Sequence, residues 1–358
     1  MHALLAELVR TNSVNPSLTA GAPGEAPIAA ILEREFADPR FEVHRLEATP
    51  GRPSLVVRRP GTGGGRSLMF NAHMDTVGVE TMAEPFSGRV ENGRLYGRGA
   101  FDMKGSLAAA VAAMQALPPL PGDVYLAAVA DEEFLSLGTE EVLRQFRPDA
   151  AIVTEPTGLD LCVAHKGFAW FELTVPGRAA HGSRYDLGID ANLAAVPSLQ
   201  QLSELSAELL RRPPHALLGP PSLHVATVHG GSGWSTYAAA CNIQIERRLL
   251  PGETAEQALS ELPPGARLVF HRPPYETNPN TRLITLARRA LPEARITGQT
   301  PWFDSGLYAA AGIETLVLGP AGEGAHADIE WVDLASVEAA AAAYMQIATE
   351  FCQTEERQ

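Results

Sequence analysis

Three short apolar runs in this sequence each end in acidic or histidine side chains, and this pattern restricts the fold more than any other feature. The runs are SLMFNAHMD (67–75), VYLAAVA (124–130) and AIVT (151–154). An alanine-rich segment from Lys104 to Leu117, which we predict to be a helix, separates the first two runs. This strand–helix–strand alternation predicts a doubly wound mixed α/β sheet, in which ligands bind at the carboxyl ends of the strands.

The pattern changes in the middle of the chain. FAWFELTV (168–175) alternates like an antiparallel strand, and a helix-like stretch from about Asn192 to Leu210 and two further strand-like runs follow it. The helix and strand alternation of the first part then resumes. The sequence therefore predicts a discontinuous catalytic domain, formed by residues 1–166 and 278–358, with a smaller α+β domain inserted at residues 167–277.

Charge and cysteine content exclude several classes of protein. The chain has 42 acidic and 28 basic residues and a formal net charge of −14, without a Lys/Arg cluster that could bind nucleic acid. No stretch approaches the roughly 20 apolar residues that span a membrane. The three cysteines are widely spaced, which argues against a disulfide framework and favours a soluble, cytoplasmic protein.

The residues at the strand ends have the chemistry of metal ligands. His73 and Asp75, in NAHMDT, are two apart at a strand end, so one can bind a metal while the other orients it. Asp102, in GRGAFDMKGS, lies among glycines before the alanine-rich helix. Its two carboxylate oxygens could bridge two metal ions, although Asp102 could also simply cap the helix.

Further candidate ligands follow the later strands. Asp131, Glu132 and Glu133 come directly after the second run, where bound cations would relieve the repulsion between their carboxylates. In the alternative interpretation this triplet is merely solvated. Glu155 in VTEPT and His326 in GPAGEGAHAD add a carboxylate and an imidazole. Zinc suits such a mixed set, and manganese or cobalt would accept the same ligands.

Taken together, these motifs resemble a known family, the zinc aminoacylase, acetylornithine deacetylase, succinyl-diaminopimelate desuccinylase and glutamate carboxypeptidase group. NAHMDT, YGRGAFDMKG, ADEEFLSLGT, EPT, GRAAH and a late GP…AH segment occur in the family's order and spacing over nearly the whole chain. The resemblance implies a two-zinc amide hydrolase, with cobalt or manganese as possible substitutes. It also implies a ferredoxin-like inserted domain that forms a homodimer.

The resemblance assigns roles to the residues at the predicted centre. The metal ligands would be Asp102 as the bridge between two zinc ions, His73 and Glu155 at one ion, and Glu133 and His326 at the other. Glu132 becomes the general base for a hydroxide shared by the metals, and Asp75 orients the His73 ring. The family also has a cis peptide bond after the bridging aspartate, here Asp102–Met103.

Other positions are implied in substrate binding. His181, in GRAAHGS, resembles the family histidine that reaches the site, often from a partner subunit, and donates to the oxyanion; otherwise it is a surface-loop histidine. Arg248 suits a substrate carboxylate but could instead be an ion-pair partner. Here the chain departs from the family, with Glu246 in place of an aspartate and STYAA (235–239) in place of an asparagine-containing stretch.

Two acids near the C-terminus also match family positions. Asp304, in PWFDSG, corresponds to an acid near the substrate pocket, and Glu330, in DIEWV, to one beside the ligand histidine. Either side chain could instead cap a helix or support a loop.

The resulting hypothesis is a hydrolase of small N-acyl amino acids, of the acetylornithine deacetylase or succinyl-diaminopimelate desuccinylase type, with a role in amino-acid biosynthesis. A dipeptidase or glutamate carboxypeptidase is the first alternative, and a carrier-linked lysine or ornithine hydrolase is the second. A binding protein without activity should have lost a ligand or the base. The sequence retains all of these residues, so it favours an enzyme.

Overall fold

The computed structural model describes residues 1–354 and contains two compact units. The first comprises Met1–Val163, Thr277–Thr297 and 303–354, and the second comprises Ala164–Glu276 and Gly298–Trp302. The predicted insert, 167–277, does not include the segment 298–302. Within the second unit, Trp302 Nε1 donates to the backbone oxygen of Pro273 at 3.0 Å, which fixes this segment there.

The helices and strands follow one another closely along the chain. The helices are α1 (His2–Arg10), α2 (Ala26–Glu35), α3 (Gly105–Ala116), α4 (Leu137–Gln145), α5 (Ala191–Ala194), α6 (Val196–Leu209), α7 (Ala255–Glu261), α8 (Arg282–Ala290), α9 (Ser305–Ala310) and α10 (Leu334–Phe351). The strands are β1 (Glu42–Leu46), β2 (Ser54–Arg59), β3 (Leu68–His73), β4 (Arg89–Glu91), β5 (Arg94–Tyr96), β6 (Val124–Val129), β7 (Ala150–Val153), β8 (Leu161–His165), β9 (Gly167–Pro176), β10 (Ser222–Gly230), β11 (Ala240–Leu249), β12 (Arg267–Arg272), β13 (Tyr275–Glu276), β14 (Ile296–Gln299), β15 (Glu314–Val317), β16 (Gly322–Glu323) and β17 (Trp331–Asp333). None of the helices within residues 1–354 is long and apolar enough to cross a membrane.

The first unit is built on a mixed sheet with the strand order β1-β2-β6-β3-β7-β15-β8. The central strands β6, β3, β7 and β15 are parallel, whereas the outer pairs are antiparallel. Every residue of β3 and β7 is buried, as expected for parallel strands that are covered on both faces. Phe70 of β3 and Tyr344 of α10 belong to the same core, with ring centroids 5.2 Å apart. The predicted doubly wound mixed sheet is confirmed.

The register of the parallel strands brings their carboxyl ends to one edge. His73 of β3 pairs with Val129 of β6, and Val153 of β7 pairs with both Asn71 and Val317. The polar segments that follow these strands therefore begin side by side. This edge contains the acidic and histidine residues described below.

The second unit has an antiparallel sheet with the order β10-β11-β9-β12. Its elements follow one another as strand, helix, strand, strand, helix, strand, which is a ferredoxin-like arrangement. Leu202, Leu205 and Leu209 of α6 recur at helical spacing and are buried in the core of this unit.

Candidate metal centre

The two ring nitrogens of His73, the last residue of β3, contact different groups. Nδ1 lies 2.9 Å from the backbone oxygen of Asp75 and 3.7 Å from Asp75 Oδ1, so a neutral ring carries its proton on this nitrogen. Nε2 lies 3.1 Å from Asp102 Oδ1 and 3.7 Å from Glu155 Oε1. Because β3 ends at His73, Asp75 lies beyond the strand. Strand alternation suggested that the Asp75 carboxylate would contact the His73 ring, but the shortest contact is made by the Asp75 carbonyl.

Asp102 lies between two imidazoles. Oδ1 faces His73, and Oδ2 lies 3.4 Å from His326 Nε2, so the two oxygens of one carboxylate point toward different ring nitrogens. The Asp102–Met103 peptide bond is cis, as the resemblance implied. Helix α3 has Lys104 as its N-cap residue, and the alternative interpretation of Asp102 as a helix cap is wrong.

Glu330 fixes the loop that carries Asp102. Its Oε1 accepts the backbone N–H groups of Phe101 at 2.9 Å and Asp102 at 3.0 Å. Its Oε2 accepts the N–H of Gly99 at 3.1 Å and pairs with Arg98 Nη1 at 2.7 Å. Gly99 has φ +78°, a left-handed conformation that favours glycine. Glu330 is buried and supports the loop.

The acidic loop after β6 is held by Asp75. The backbone N–H of Glu132 donates to Asp75 Oδ1 and that of Glu133 to Asp75 Oδ2, each at 3.2 Å. Glu133 Oε2 lies 3.0 Å from His326 Nε2. Asp75 thus contacts the His73 ring through its carbonyl and the two glutamates through its carboxylate, so one buried residue can align candidate ligands that follow two strands.

Two carboxyl groups at this edge, those of Glu132 and Glu155, resist ionisation. Burial raises the pKa of Glu132 well above its usual range, and the charge of Glu155 raises it further. Burial likewise raises the pKa of Glu155, and the charge of Asp102 adds to this effect. Divalent cations would offset the repulsion between these carboxylates and would compensate for their lost contact with water.

The pKa values of the two imidazoles are raised as well, which for a histidine favours the charged form. Hydrogen bonds with Asp102 and Glu133 raise the pKa of His326 to about 10. Burial disfavours protonation of His73, but its hydrogen bond with Asp102 and the charge of Glu155 outweigh burial and raise its pKa well above 6.5. The arrangement without metal therefore favours the protonated form of both the His73 and the His326 imidazole.

Within residues 1–354, two groups of three ligand atoms lie within 4.8 Å of one another. They are His73, Asp102 and Glu133, and His73, Glu132 and Glu155. Imidazole nitrogen and carboxylate oxygen donors suit zinc, manganese or cobalt. The residues present therefore fit divalent metal ions. Glu132, to which the resemblance gives the role of base, lies as close to such a position as the expected ligands do.

His181 and Arg248 lie in the second unit, and each has local partners there. His181 is exposed, and its Nδ1 accepts the backbone N–H of Ser183 at 3.2 Å, so the proton of a neutral ring is on Nε2. Arg248 Nε donates to Glu246 Oε1 at 2.7 Å, and its guanidinium carbon lies 5.4 Å from the ring centre of Phe168. Arg248 is thus an ion-pair partner here, and its contact with a substrate stays a prediction.

Asp304 lies in the first unit directly before α9. It is fully buried and accepts a hydrogen bond from the Thr139 hydroxyl. Its charge adds to the raised pKa of Glu132. Its predicted role toward a substrate stays a prediction.

The sequence analysis missed several buried polar residues near the site. Lys104 donates from Nζ to the backbone oxygen of Thr11 at 3.0 Å, and burial lowers its pKa to about 7. Asn15, Glu25 and Arg52 lie behind the acidic loop and are described further below. Lys104 lies within the YGRGAFDMKG motif, but the other three residues belong to no motif with a recognisable spacing, so only the fold reveals their positions.

Comparison with known proteins agrees with this geometry. Residues 69–350 match the family model described as peptidase family M20/M25/M40. An acetylornithine deacetylase from Pectobacterium atrosepticum is 28% identical over 371 residues, with 96% of each chain covered. A tripeptidase from Staphylococcus aureus has a similar fold, with a TM-score of 0.78, 20% identity and 98% and 97% of the two chains covered. So does a dinuclear metal-binding M20 peptidase from Bacillus subtilis, with a TM-score of 0.71, 15% identity and 99% and 98% covered.

Proposed function

The chain belongs to peptidase family M20/M25/M40, and from this premise we propose that this metal-dependent hydrolase removes the acyl group from a small N-acyl amino acid. The observation that carries the proposal is the Asp102 carboxylate between two imidazoles, with Glu132 close by. Full-length similarity to acetylornithine deacetylases supports the substrate class. Acetylornithine or succinyl-diaminopimelate is the type of substrate proposed.

Two divalent ions, zinc in the first instance, would occupy this centre. Asp102 would bridge them, and the remaining ligands would be His73 and Glu155 at one ion and Glu133 and His326 at the other. Bound metal lowers the pKa of a water molecule and polarises the amide carbonyl. Asp75 keeps the proton of His73 on Nδ1 and leaves Nε2 free to bind.

Glu132 is the proposed general base. Its carboxylate takes a proton from the attacking water and later donates it to the leaving nitrogen of the amide. Burial raises the pKa of Glu132, which makes its carboxyl group a better proton acceptor than an exposed glutamate. The backbone N–H of Glu132 is held by Asp75, so the position of the Glu132 carboxylate depends mainly on the side-chain torsion angles of Glu132.

His181 is proposed to stabilise the negative charge that develops on the carbonyl oxygen. In the tautomer with Nδ1 as acceptor, its Nε2–H is available as a donor. We propose that it acts in the partner subunit's site of a homodimer formed through the second unit. The edge strand β10 and the exposed apolar side chains of Leu193, Val196 and Val228 support such an interface.

Arg248 and Asp304 are the proposed substrate-binding residues. A guanidinium presents a planar pair of donors to a carboxylate, and Arg248 retains about a third of its side-chain exposure beside Glu246. Asp304, which accepts a hydrogen bond from the buried Thr139, adds negative charge near Glu132.

The absence of closely spaced cysteines supports a cytoplasmic location.

The experiment is a comparison of substrates. Metal-free protein receives zinc, manganese or cobalt, and release of free amine is measured from N-acetylornithine, N-succinyl-diaminopimelate, other N-acyl amino acids, dipeptides and carrier-linked lysine or ornithine. Metal-dependent turnover that is highest with an N-acyl amino acid supports the proposal. Highest turnover with peptides or carrier-linked substrates would replace it with one of those alternatives, and no turnover by a metal-loaded protein would contradict it.

A further inference from the structure

A buried polar network in the first unit lies behind the acidic loop, and the proposed mechanism gives none of its members a role. The members are Asn15, Glu25, Arg52 and Asp131, of which Arg52 is 9% exposed and the others are fully buried. Burying charged groups costs free energy even when they are paired. Their concentration beside the ligand-bearing loop therefore indicates a function in placing that loop.

Arg52 is the centre of the network. Its Nε and Nη2 donate to the two oxygens of Glu25 at 2.8 and 2.7 Å, and Nη2 also donates to Asp131 Oδ1 at 2.8 Å. Nη1 donates to the Ser17 hydroxyl at 3.0 Å. Only the planar guanidinium fork can contact both carboxylates in this geometry, because a lysine ammonium is a single point charge.

The network fixes Asp131 at both its backbone and its side chain. Asp131 has φ +66°, a conformation that is uncommon for an aspartate. Its backbone N–H donates to Glu25 Oε1 at 3.2 Å, while its Oδ2 accepts the N–H of Leu135 at 3.2 Å. The next two residues along the chain are Glu132 and Glu133. The direction in which they leave Asp131 is therefore set by Arg52 and Glu25.

Asn15 provides a second connection to the same glutamates. Its Nδ2 donates to Asp131 Oδ1 at 3.1 Å and to Asp75 Oδ2 at 2.8 Å. Asp75 in turn accepts the backbone N–H groups of Glu132 and Glu133. One amide thus joins the carboxylate that contacts His73 to the carboxylate that Arg52 holds.

We propose that Arg52 is a positioning residue that sets the location of Glu132 and Glu133 relative to His73, directly through Asp131 and indirectly through Asn15. It thereby determines the affinity of the centre for divalent metal and the efficiency of proton transfer. The second part rests on the proposed function, whereas the first concerns metal binding alone.

The test compares Arg52→Lys with Arg58→Lys in the full chain. Arg58 lies on β2, and its Nε and Nη2 pair with Asp123 Oδ2 at 3.0 and 2.9 Å. Asp123 directly precedes β6, whereas the acidic loop follows β6, so this pair lies at the other end of the strand. Zinc dissociation constants are measured on metal-free protein by competition with a chromogenic chelator. Arg52→Lys should weaken zinc binding about 10- to 100-fold, and Arg58→Lys should leave it within about twofold. At saturating zinc, Arg52→Lys should lower kcat with KM unchanged.

Asn15→Leu keeps the proposal testable if Arg52→Lys does not fold. This substitution keeps the branched shape of the side chain and leaves Arg52 paired with Glu25 and Asp131. It removes the hydrogen bonds that Asn15 donates to Asp75 and Asp131, and those that it accepts from Arg52 Nη2 and the Ser17 N–H. It should also weaken zinc binding. Wild-type zinc affinity in every variant that is folded by circular dichroism would overturn the proposal. If wild-type protein binds zinc but hydrolyses no substrate, the proposed function fails while the comparison of zinc affinities still decides on Arg52.

Discussion

The candidate residues of the two units differ in how firmly the protein holds them. In the first unit, His73, Asp75 and Glu330 are almost fully buried, and each contacts groups that carry or align the candidate metal ligands. In the second unit, His181 is exposed and its imidazole hydrogen-bonds with Ser183, two residues away. The comparison teaches that the residues proposed for bond breaking lie in a preorganised edge, whereas those proposed for recognition are side chains that a substrate or partner must still order.

The largest effect should come from the preorganised edge. Glu132→Gln keeps the side-chain shape but removes the base, so kcat should fall by about 10² to 10⁴, measured as amine release at saturating metal and substrate. Metal content by atomic spectroscopy should stay at the wild-type value, while Glu133→Gln should lower it. Loss of metal from Glu132→Gln would instead make Glu132 a ligand, which its position beside His73 and Glu155 also allows.

A smaller effect is expected from the exposed region. His181→Ala removes one proposed oxyanion donor, so kcat should fall by about 10² to 10³ with metal content unchanged. His271→Ala, at an exposed position on β12, is the control and should have wild-type activity. If His181 acts in the partner's site, a heterodimer of His181→Ala and Glu132→Ala chains should regain part of the activity. A proven heterodimer without activity would contradict action between subunits.

The pH dependence of metal binding should distinguish the candidate metal centre from an acidic patch without histidine ligands. His326 has its pKa raised to about 10 in the metal-free protein, so binding at pH 7 must displace its proton. Zinc affinity should rise by about tenfold per pH unit for each proton displaced, measured by chelator competition at several pH values. Because the folded pKa lies above 6.5, the contribution of His326 to metal-free stability is complete below pH 6.5 and is lost as the pH rises toward 10. A pH-independent affinity would contradict this.

The smallest effect should come from Arg248. Arg248→Lys loses the two-pronged contact with a substrate carboxylate, so KM should rise by up to about tenfold while kcat changes little. Arg267→Lys is the control, because Arg267 also pairs with a glutamate, Glu172, on the same sheet. Equal KM values in the two variants would contradict a contact between Arg248 and the substrate.

The sequence predicted the parallel core and the ligand-bearing edge because both depend on local signals. The apolar runs became β3, β6 and β7 nearly as predicted, and the polar residues after them meet because parallel strands end together. The carbonyl contact of Asp75 could not be predicted, and the sequence offered loop support by Glu330 only as an alternative, without indicating which loop it supports. These contacts depend on where β3 ends and on a loop more than two hundred residues away in the chain.

The buried polar network around Arg52 could not be predicted for a similar reason. Arg52 and Glu25 are separated from Asp131 by long stretches of chain, and a single charged residue has no periodicity to reveal its partner. The segment 298–302 was likewise predicted to belong to the first unit, since its sequence lies among elements of that unit. Long-range contacts therefore decided what local patterns could not.

The most direct test of the account is a titration of metal-free protein with zinc, in which bound zinc per chain and amine release from the best N-acyl amino acid substrate are followed together. We predict two zinc ions per chain, with turnover that depends on them and is lost in Glu132→Gln protein that binds the same amount of zinc. Full turnover in rigorously metal-free protein, or undiminished turnover by Glu132→Gln, would contradict the account.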